Sequence, residues 1–307
     1  MTALRHQAML YEGTDEFLAA ALPFVSDGVA AGDPVIAVAH TPNVAALREA
    51  LGADGAAVEL VESQDWYHSP GRAFGGFLGF AQANPDAACV RMIGEPIWPL
   101  GWEAAVAEYA HYESVFNVIA GEAPIWALCP YDTVALPDAI LDHALHTHPE
   151  VCTYRGGVAP SDRFTDPETY CAHLAGRTVL PGVRARRFPV THDLAALRRS
   201  VEQEAVHASV DPRNVGPFML AVHEAAANAL THGGGDASAR TWIEDRTFVC
   251  EIADRGPGLS ETVAGYVPPE GEAHRGRGLW MTRQVCDLVE VQSREGDTRV
   301  RLHVRRG

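Results

Sequence analysis

From His6 to Cys129 the chain alternates short apolar runs with stretches of helical periodicity, a rhythm that few folds accept. Pro34-Val-Ile-Ala-Val-Ala39 has no polar position, as expected of a strand covered on both faces. His6–Tyr11, Ala57–Val61, Cys89–Ile93 and Pro124–Cys129 read as further strands. Between them, Asp15–Gly32 carries Phe17, Leu18, Ala21, Leu22 and Val25 at helical spacing and stops at a glycine. Asn43–Leu51 and Trp102–Ala120 read likewise. Repeated βα units predict a mostly parallel sheet with helices on its faces, an α/β/α domain.

Ligands of such sheets gather at the carboxyl ends of the strands. His40, Glu62, Glu95 with Trp98, and Cys129 with Tyr131 and Asp132 fall there, and together they outline a candidate sensory pocket. Taken singly, each also fits turn or capping chemistry. The turn after the first strand, Glu12-Gly-Thr-Asp15, lacks the glycine spacing and lysine of a phosphate-binding loop, so no nucleotide hydrolysis is expected here. His143 and His146 share a helical face, with His148 and Cys152 nearby, a loose candidate metal set. No standard ligand spacing completes it, and ordinary surface histidines are the simpler reading.

Tyr11-Glu12, Gly94-Glu95-Pro-Ile-Trp98, Tyr112-Glu113, Cys129-Pro-Tyr131-Asp132 and His148-Pro149 resemble the pattern of the MEDS sensory family. The resemblance implies a RecA-like α/β fold that has lost its lysine loop. It also implies a small-molecule signal of undefined identity, and it adds Glu113 and His148 to the pocket residues.

Charge divides the chain. Residues 1–183 hold 7 Arg against 23 acids and residues 184–307 hold 17 of each, for a net −16. An acidic first half argues against direct nucleic-acid binding, which needs cations to replace phosphate counterions. The chain has no lysine, which excludes a Schiff-base lysine, a phosphate-loop lysine and the strand lysine of ordinary protein kinases. Six scattered cysteines without a C-x-x-C pair fit reduced thiols in the cytoplasm. No apolar run reaches the roughly 18 residues of a membrane span, and the N-terminus lacks a signal-peptide core. Residues 151–188 are broken by Pro160, Pro167 and Pro181. The expected division is therefore 1–160, a linker 161–184, and 185–307.

The second half carries three short motifs in order. Glu224-Ala-Ala-Ala-Asn228 lies in a helix expected from Asn214 to His232. There Met219, Val222, Ala226, Ala229 and Leu230 share one face, and Glu224 and Asn228 sit one turn apart on the other. Asp254-Arg-Gly256-Pro-Gly258 ends a strand. Arg275-Gly276-Arg277-Gly278-Leu279 opens a helix, where glycines let backbone N–H groups approach phosphate and arginines add charge. Strands are also expected at Ala239–Glu244 and Thr247–Ala253, with a closing hairpin from Val289 to Val304. Leu259–His274 is long enough to be a lid. His192, before a helix starting near Asp193, lacks the context of a phosphoacceptor histidine.

This order resembles the GHKL (Bergerat) ATP-binding fold, a two-layer α/β domain, and within it the RsbW/SpoIIAB-type anti-sigma factors and serine kinases. The resemblance implies ATP and Mg²⁺ as cofactors. Glu224 would be the general base, Asn228 the Mg²⁺ ligand and Asp254 the acceptor of the adenine amino group. Gly256 and Gly258 would shape that pocket. Arg275, Gly276, Arg277, Gly278 and Leu279 would lie at the phosphates, and His232 would help shape the site. It further implies a STAS-type anti-anti-sigma factor and a sigma factor as partners, and a homodimer. The other readings left open are a non-catalytic nucleotide-binding interaction module and a histidine-kinase-like catalytic domain.

Overall fold

The computed structural model describes residues 3–154, 157–175, 185–234, 236–259, 263–267 and 277–307. The chain divides into two compact units, Met1–His68 with Arg72–Ala172 and Ser69–Gly71 with His173–Gly307.

The first unit runs β1 (Arg5–Tyr11), α1 (Gly13–Ala31), β2 (Val35–Ala39), α2 (Thr41–Leu51), β3 (Val58–Glu62), α3 (Ser63–Trp66), α4 (Pro70–Gln82), β4 (Val90–Gly94), α5 (Glu103–Ile119), β5 (Ile125–Asp132), α6 (Asp138–Thr147), β6 (Glu150–Thr153) and β7 (Gly157–Pro160), followed by α7 (Pro167–Ala175). Its seven-stranded sheet has the order β3-β2-β4-β5-β1-β6-β7, parallel except for the β6–β7 pair. Strand alternation sends Met9, Tyr11, Val35, Ala37 and Leu128 into one core with Phe17, Val25 and Leu47 of α1 and α2. The opposite face carries His6, which meets Phe116 of α5 edge-on, and Phe116 in turn meets Phe74 of α4. Helices thus cover both faces, as the unbroken apolar β2 requires.

β5 runs three residues further than the apolar run suggests, because Pro130 and the polar residues around it do not end the strand. β4 pairs with β5 only as far as Leu128. Beyond it only β1 pairs with β5, with Met9 opposite Pro130. A proline without N–H is tolerated where one neighbouring strand has stopped. Cys129 and Tyr131 therefore project from within the sheet and not from a loop.

The second unit runs β8 (Arg186–Pro189), α8 (Leu194–His207), α9 (Pro212–His232), β9 (Ala237–Glu244), β10 (Thr247–Asp254), α10 (Arg277–Val285), β11 (Leu288–Arg294) and β12 (Asp297–Arg305). Its five-stranded antiparallel sheet has the order β11-β12-β10-β9-β8. Leu197 and Val201 of α8 and Phe218, Val222 and Ala226 of α9 pack on Phe248, Cys250, Ile252, Leu302 and Val304, giving two layers. β6, β7 and β8 are four residues each, too short for a period-2 pattern to mark them in a proline-rich stretch.

Candidate functional site

In the second unit α9 is fixed first. Asp211 caps it by accepting the Arg213 N–H at 2.9 Å, and Pro212 occupies the first turn, where no donor is needed. Val215, Phe218, Ala221, Val222, Ala225, Ala226 and Ala229 are buried, and small alanines let the helix sit close on the sheet. Glu224 is left half-buried and Asn228 exposed on the other side. Among the described residues neither makes a hydrogen bond or an ion pair.

The other motifs close on this helix. A Cβ built on Gly278 would lie 2.7 Å from Glu224 Oε2 and 3.3 Å from Asn228 Nδ2, so the first turn of α10 lies close against both side-chain ends. Thr282 Oγ1 donates to the Gly278 carbonyl at 2.8 Å and pins the turn. At the far end of α9, a Cβ on Gly256 would run into the His232 carbonyl and lie 2.8 Å from Gly233 Cα. Asp254 accepts the Gly256 N–H through Oδ1 at 2.9 Å. Its Oδ2 accepts no hydrogen bond from the described residues. Glu224, Asn228, the His232 backbone, Asp254, Gly256 and Gly278 thus come together along one helix.

The remaining residues are placed more loosely. Gly258 lies against β11, and the next N–H, of Leu259, donates to Ser293 Oγ at 2.7 Å. The His232 side chain is exposed, as is that of Arg277. Leu279 is half-buried against Gly265, whose Cβ would lie 2.6 Å from Leu279 Cγ. Gly265 gave no signal in the sequence beyond its position in the expected lid. Arg275 and Gly276 lie outside the described residues, as does most of that lid. A cleft of about 710 Å³ near Glu202, Val206, Pro212 and Arg213 contains none of the three motifs.

The first unit divides the expected pocket in two. At the carboxyl ends of β1, β2 and β4, Glu95 accepts the Tyr11 hydroxyl, the His40 N–H at 2.7 Å and the Asn43 amide at 3.1 Å. Burial, then the Glu95 charge, drive the Tyr11 pKa far upward, so the phenol stays protonated as donor. Asn43 was not foreseen, since a lone amide early in a helix usually reads as a cap. The second group, Glu113, Cys129 and His148, lies under α5 and gains His6 from β1. Burial followed by Glu113 pushes the Cys129 thiol up, and burial followed by His6 pushes His148 down. Trp98 and Tyr131, with ring centroids 6.1 Å apart, are buried, and neither the Trp98 indole N–H nor the Tyr131 hydroxyl finds a partner among the described residues. Asp132 stands apart, accepting the Val134 and Ala135 N–H groups in a turn. The histidine set of α6 and its C-terminal end does not assemble: His143 bonds the Tyr170 hydroxyl, His146 bonds Thr165 and stacks on Tyr170, and only His148 turns inward.

Against known proteins, residues 5–149 match the family described as MEDS, the MEthanogen/methylotroph, DcmR Sensory domain. Residues 190–304 match the histidine kinase-like ATPase domain. No curated protein matches. Among solved structures, the histidine kinase domain of a blue-light activated histidine kinase, EL346, from Erythrobacter litoralis is 18% identical. That match covers 45% of this chain and 74% of its own, at a TM-score of 0.26. The histidine kinase AdeS of Acinetobacter baumannii is 12% identical, covering 65% of this chain and 94% of its own, also at 0.26. Overlap this slight bears on neither mechanism nor partner. The two domain matches show only that a sensory domain is followed by a GHKL-type, kinase-like ATPase domain, and such a domain implies ATP binding.

Proposed function

We propose that this chain is a signal-responsive protein kinase and anti-sigma factor. In this reading residues 1–160 sense a small molecule, 161–184 join the parts, and 185–307 bind ATP–Mg²⁺ and phosphorylate a serine or threonine of a STAS-type anti-anti-sigma partner. The partner's phosphorylation state then sets how much sigma factor is held. The observation carrying this reading is the approach of Gly278 to Glu224 and Asn228, two polar side chains with no hydrogen-bond or ion-pair partner among the described residues.

The residues fit the cofactors. The glycine turn at Gly278 leaves a cradle that any side chain would fill, and helix N-termini favour phosphate. Asn228 would hold the metal through its amide oxygen, in keeping with a cation that keeps most of its waters. Oδ2 of Asp254, which accepts no hydrogen bond from the described residues, would accept the adenine amino group. Bound ATP–Mg²⁺ supplies the phosphoryl group and neutralises the charge that builds up during transfer. Glu224 would act as the base that takes the proton of the partner's serine or threonine hydroxyl.

The test is transfer of radiolabel from ATP to candidate STAS proteins by the full chain. Acid-stable label on serine or threonine, lost in Glu224→Ala, is expected. Acid-labile label on a histidine would move the chain to the histidine-kinase reading. No transfer, with sigma-factor binding retained in Glu224→Ala, would leave a non-catalytic interaction module.

A further inference from the structure

Four side chains from four separate places in the first unit converge beneath α5: His6 on β1, Glu113 on α5, Cys129 on β5 and His148 just after α6. One nitrogen, oxygen or sulfur atom from each lies within 4.8 Å of all the others, and all four residues are buried. His6 Nε2 stands 3.3 Å from Glu113 Oε2 and 3.5 Å from Cys129 Sγ. His148 Nε2 stands 3.7 Å from Glu113 Oε2, and Cys129 Sγ stands 4.0 Å from it. A tetrahedral zinc site with metal–ligand distances of about 2.0–2.3 Å has edges of roughly 3.3–3.8 Å.

The groups behind these atoms set which nitrogen faces inward. Asn117 Nδ2 donates to the carbonyls of Glu113 (3.2 Å), Ser114 (3.2 Å) and Thr147 (2.8 Å), which turns its oxygen toward His6 Nδ1 at 3.0 Å. That oxygen only accepts, so His6 Nδ1 carries the hydrogen. His148 Nδ1 faces the Ala144 carbonyl at 2.9 Å, again an acceptor, and Thr147 Oγ1 at 3.0 Å, whose own hydrogen goes to the His143 carbonyl at 2.9 Å, so this nitrogen carries its hydrogen too. Both imidazoles therefore aim the Nε2 lone pair at the same carboxylate and sulfur. His148 Nε2 is fully buried and has no hydrogen-bond partner among the described residues. An imidazole oriented by a backbone carbonyl or amide through one nitrogen, with the other bare, is the outer-shell arrangement of metal-binding histidines.

We propose that His6, Glu113, Cys129 and His148 form a buried four-ligand site for a divalent transition metal of the zinc class. Two neutral imidazoles, one thiolate and one carboxylate carry two negative charges, which a divalent cation cancels inside a buried site. The thiolate and imidazoles select against magnesium and calcium, which take oxygen ligands. Without a cation, a carboxylate oxygen and two nitrogen lone pairs crowd together with only exchangeable protons to separate them. The site is independent of the nucleotide site, and its test does not depend on kinase activity.

The probe is cobalt(II) added to the chelator-treated full chain. The expected result is one cobalt per chain, tetrahedral ligand-field bands and a thiolate-to-cobalt charge-transfer band, all displaced by zinc. Cys129→Ser removes the charge-transfer band, Glu113→Gln weakens cobalt binding about tenfold or more, and Cys152→Ser leaves both unchanged. X-ray absorption of the zinc-loaded wild type reads one sulfur and three nitrogen or oxygen neighbours, a result that needs no variant to fold. No stoichiometric uptake, a shell without sulfur, or a charge-transfer band that survives in folded Cys129→Ser would each overturn the site and leave an internal hydrogen-bond network.

Discussion

Glu224 and Asn228 acquire meaning from Gly278, and the substitutions follow from that contact. Glu224→Gln should lower phosphotransfer by about 10²–10⁴-fold, the usual contribution of a general base, with ATP affinity little changed. Steady-state transfer and equilibrium nucleotide binding, measured on one preparation, separate the two effects. Gly278→Ala puts a methyl group 2.7 Å from Glu224 Oε2. The carboxylate end has to swing aside, and misplacing the base should slow transfer by up to about 10²-fold; unchanged transfer would remove Gly278 from the site. Elsewhere, burial and then Glu150 push the Cys152 thiol up to about 11. A raised pKa means less thiolate, so at pH 8 only about one part in a thousand is reactive. Alkylation of Cys152, followed by mass spectrometry, should speed up nearly tenfold per pH unit up to that value. Fast labelling at pH 7 would show that the thiol pKa is not raised in this way.

Helix α9 and strand β10 were legible because each has a clear period or end signal, whereas α10, expected from Leu279 to Val289, ends at Val285 and gives way to β11 at Leu288. The alternation of Phe248, Cys250 and Ile252 toward the core also sends Glu251 to the opposite face, which the sequence states plainly. What it does not state is the register. Cross-strand pairing sets Glu251 between Arg240 and Arg301, with Glu290 next to Arg301, so charges alternate across β9, β10, β12 and β11. Glu251 and Arg301 are 0% and 2% exposed at the side chain and meet at 2.9 Å. Removing one member of a buried pair leaves the other uncompensated, and Glu251→Ala should cost about 3–5 kcal/mol in denaturant unfolding. A loss under 1 kcal/mol would mean that the row is hydrated in solution. The short strands β6, β7 and β8 escaped notice for the opposite reason, since four residues hold no readable period.

Each unit has its own apolar core, so a ligand of one should act first on that unit's stability. ATP with Mg²⁺ at 100 times its dissociation constant should stabilise the second unit by about 2.7 kcal/mol. The matching rise in melting temperature should vanish in Asn228→Ala, and an equal rise in that variant would place the nucleotide elsewhere. Among the described residues no helix is long and apolar enough to cross a membrane.

By itself the sequence determined what is local: the elements with long periods, the shared helical turn of Glu224 and Asn228, and the chemistry excluded by the absence of lysine. Helical spacing follows from chain geometry alone, so one face of α9 can be read without knowing its neighbours. Only the tertiary structure decided which elements meet. His6 and Cys129 lie 123 residues apart, and they face each other because β1 pairs with β5 in one particular register beneath α5. Strand order and register are settled by the packing of the whole sheet, so no stretch of sequence could show that a first-strand histidine, a helix glutamate, a strand cysteine and His148 share a centre.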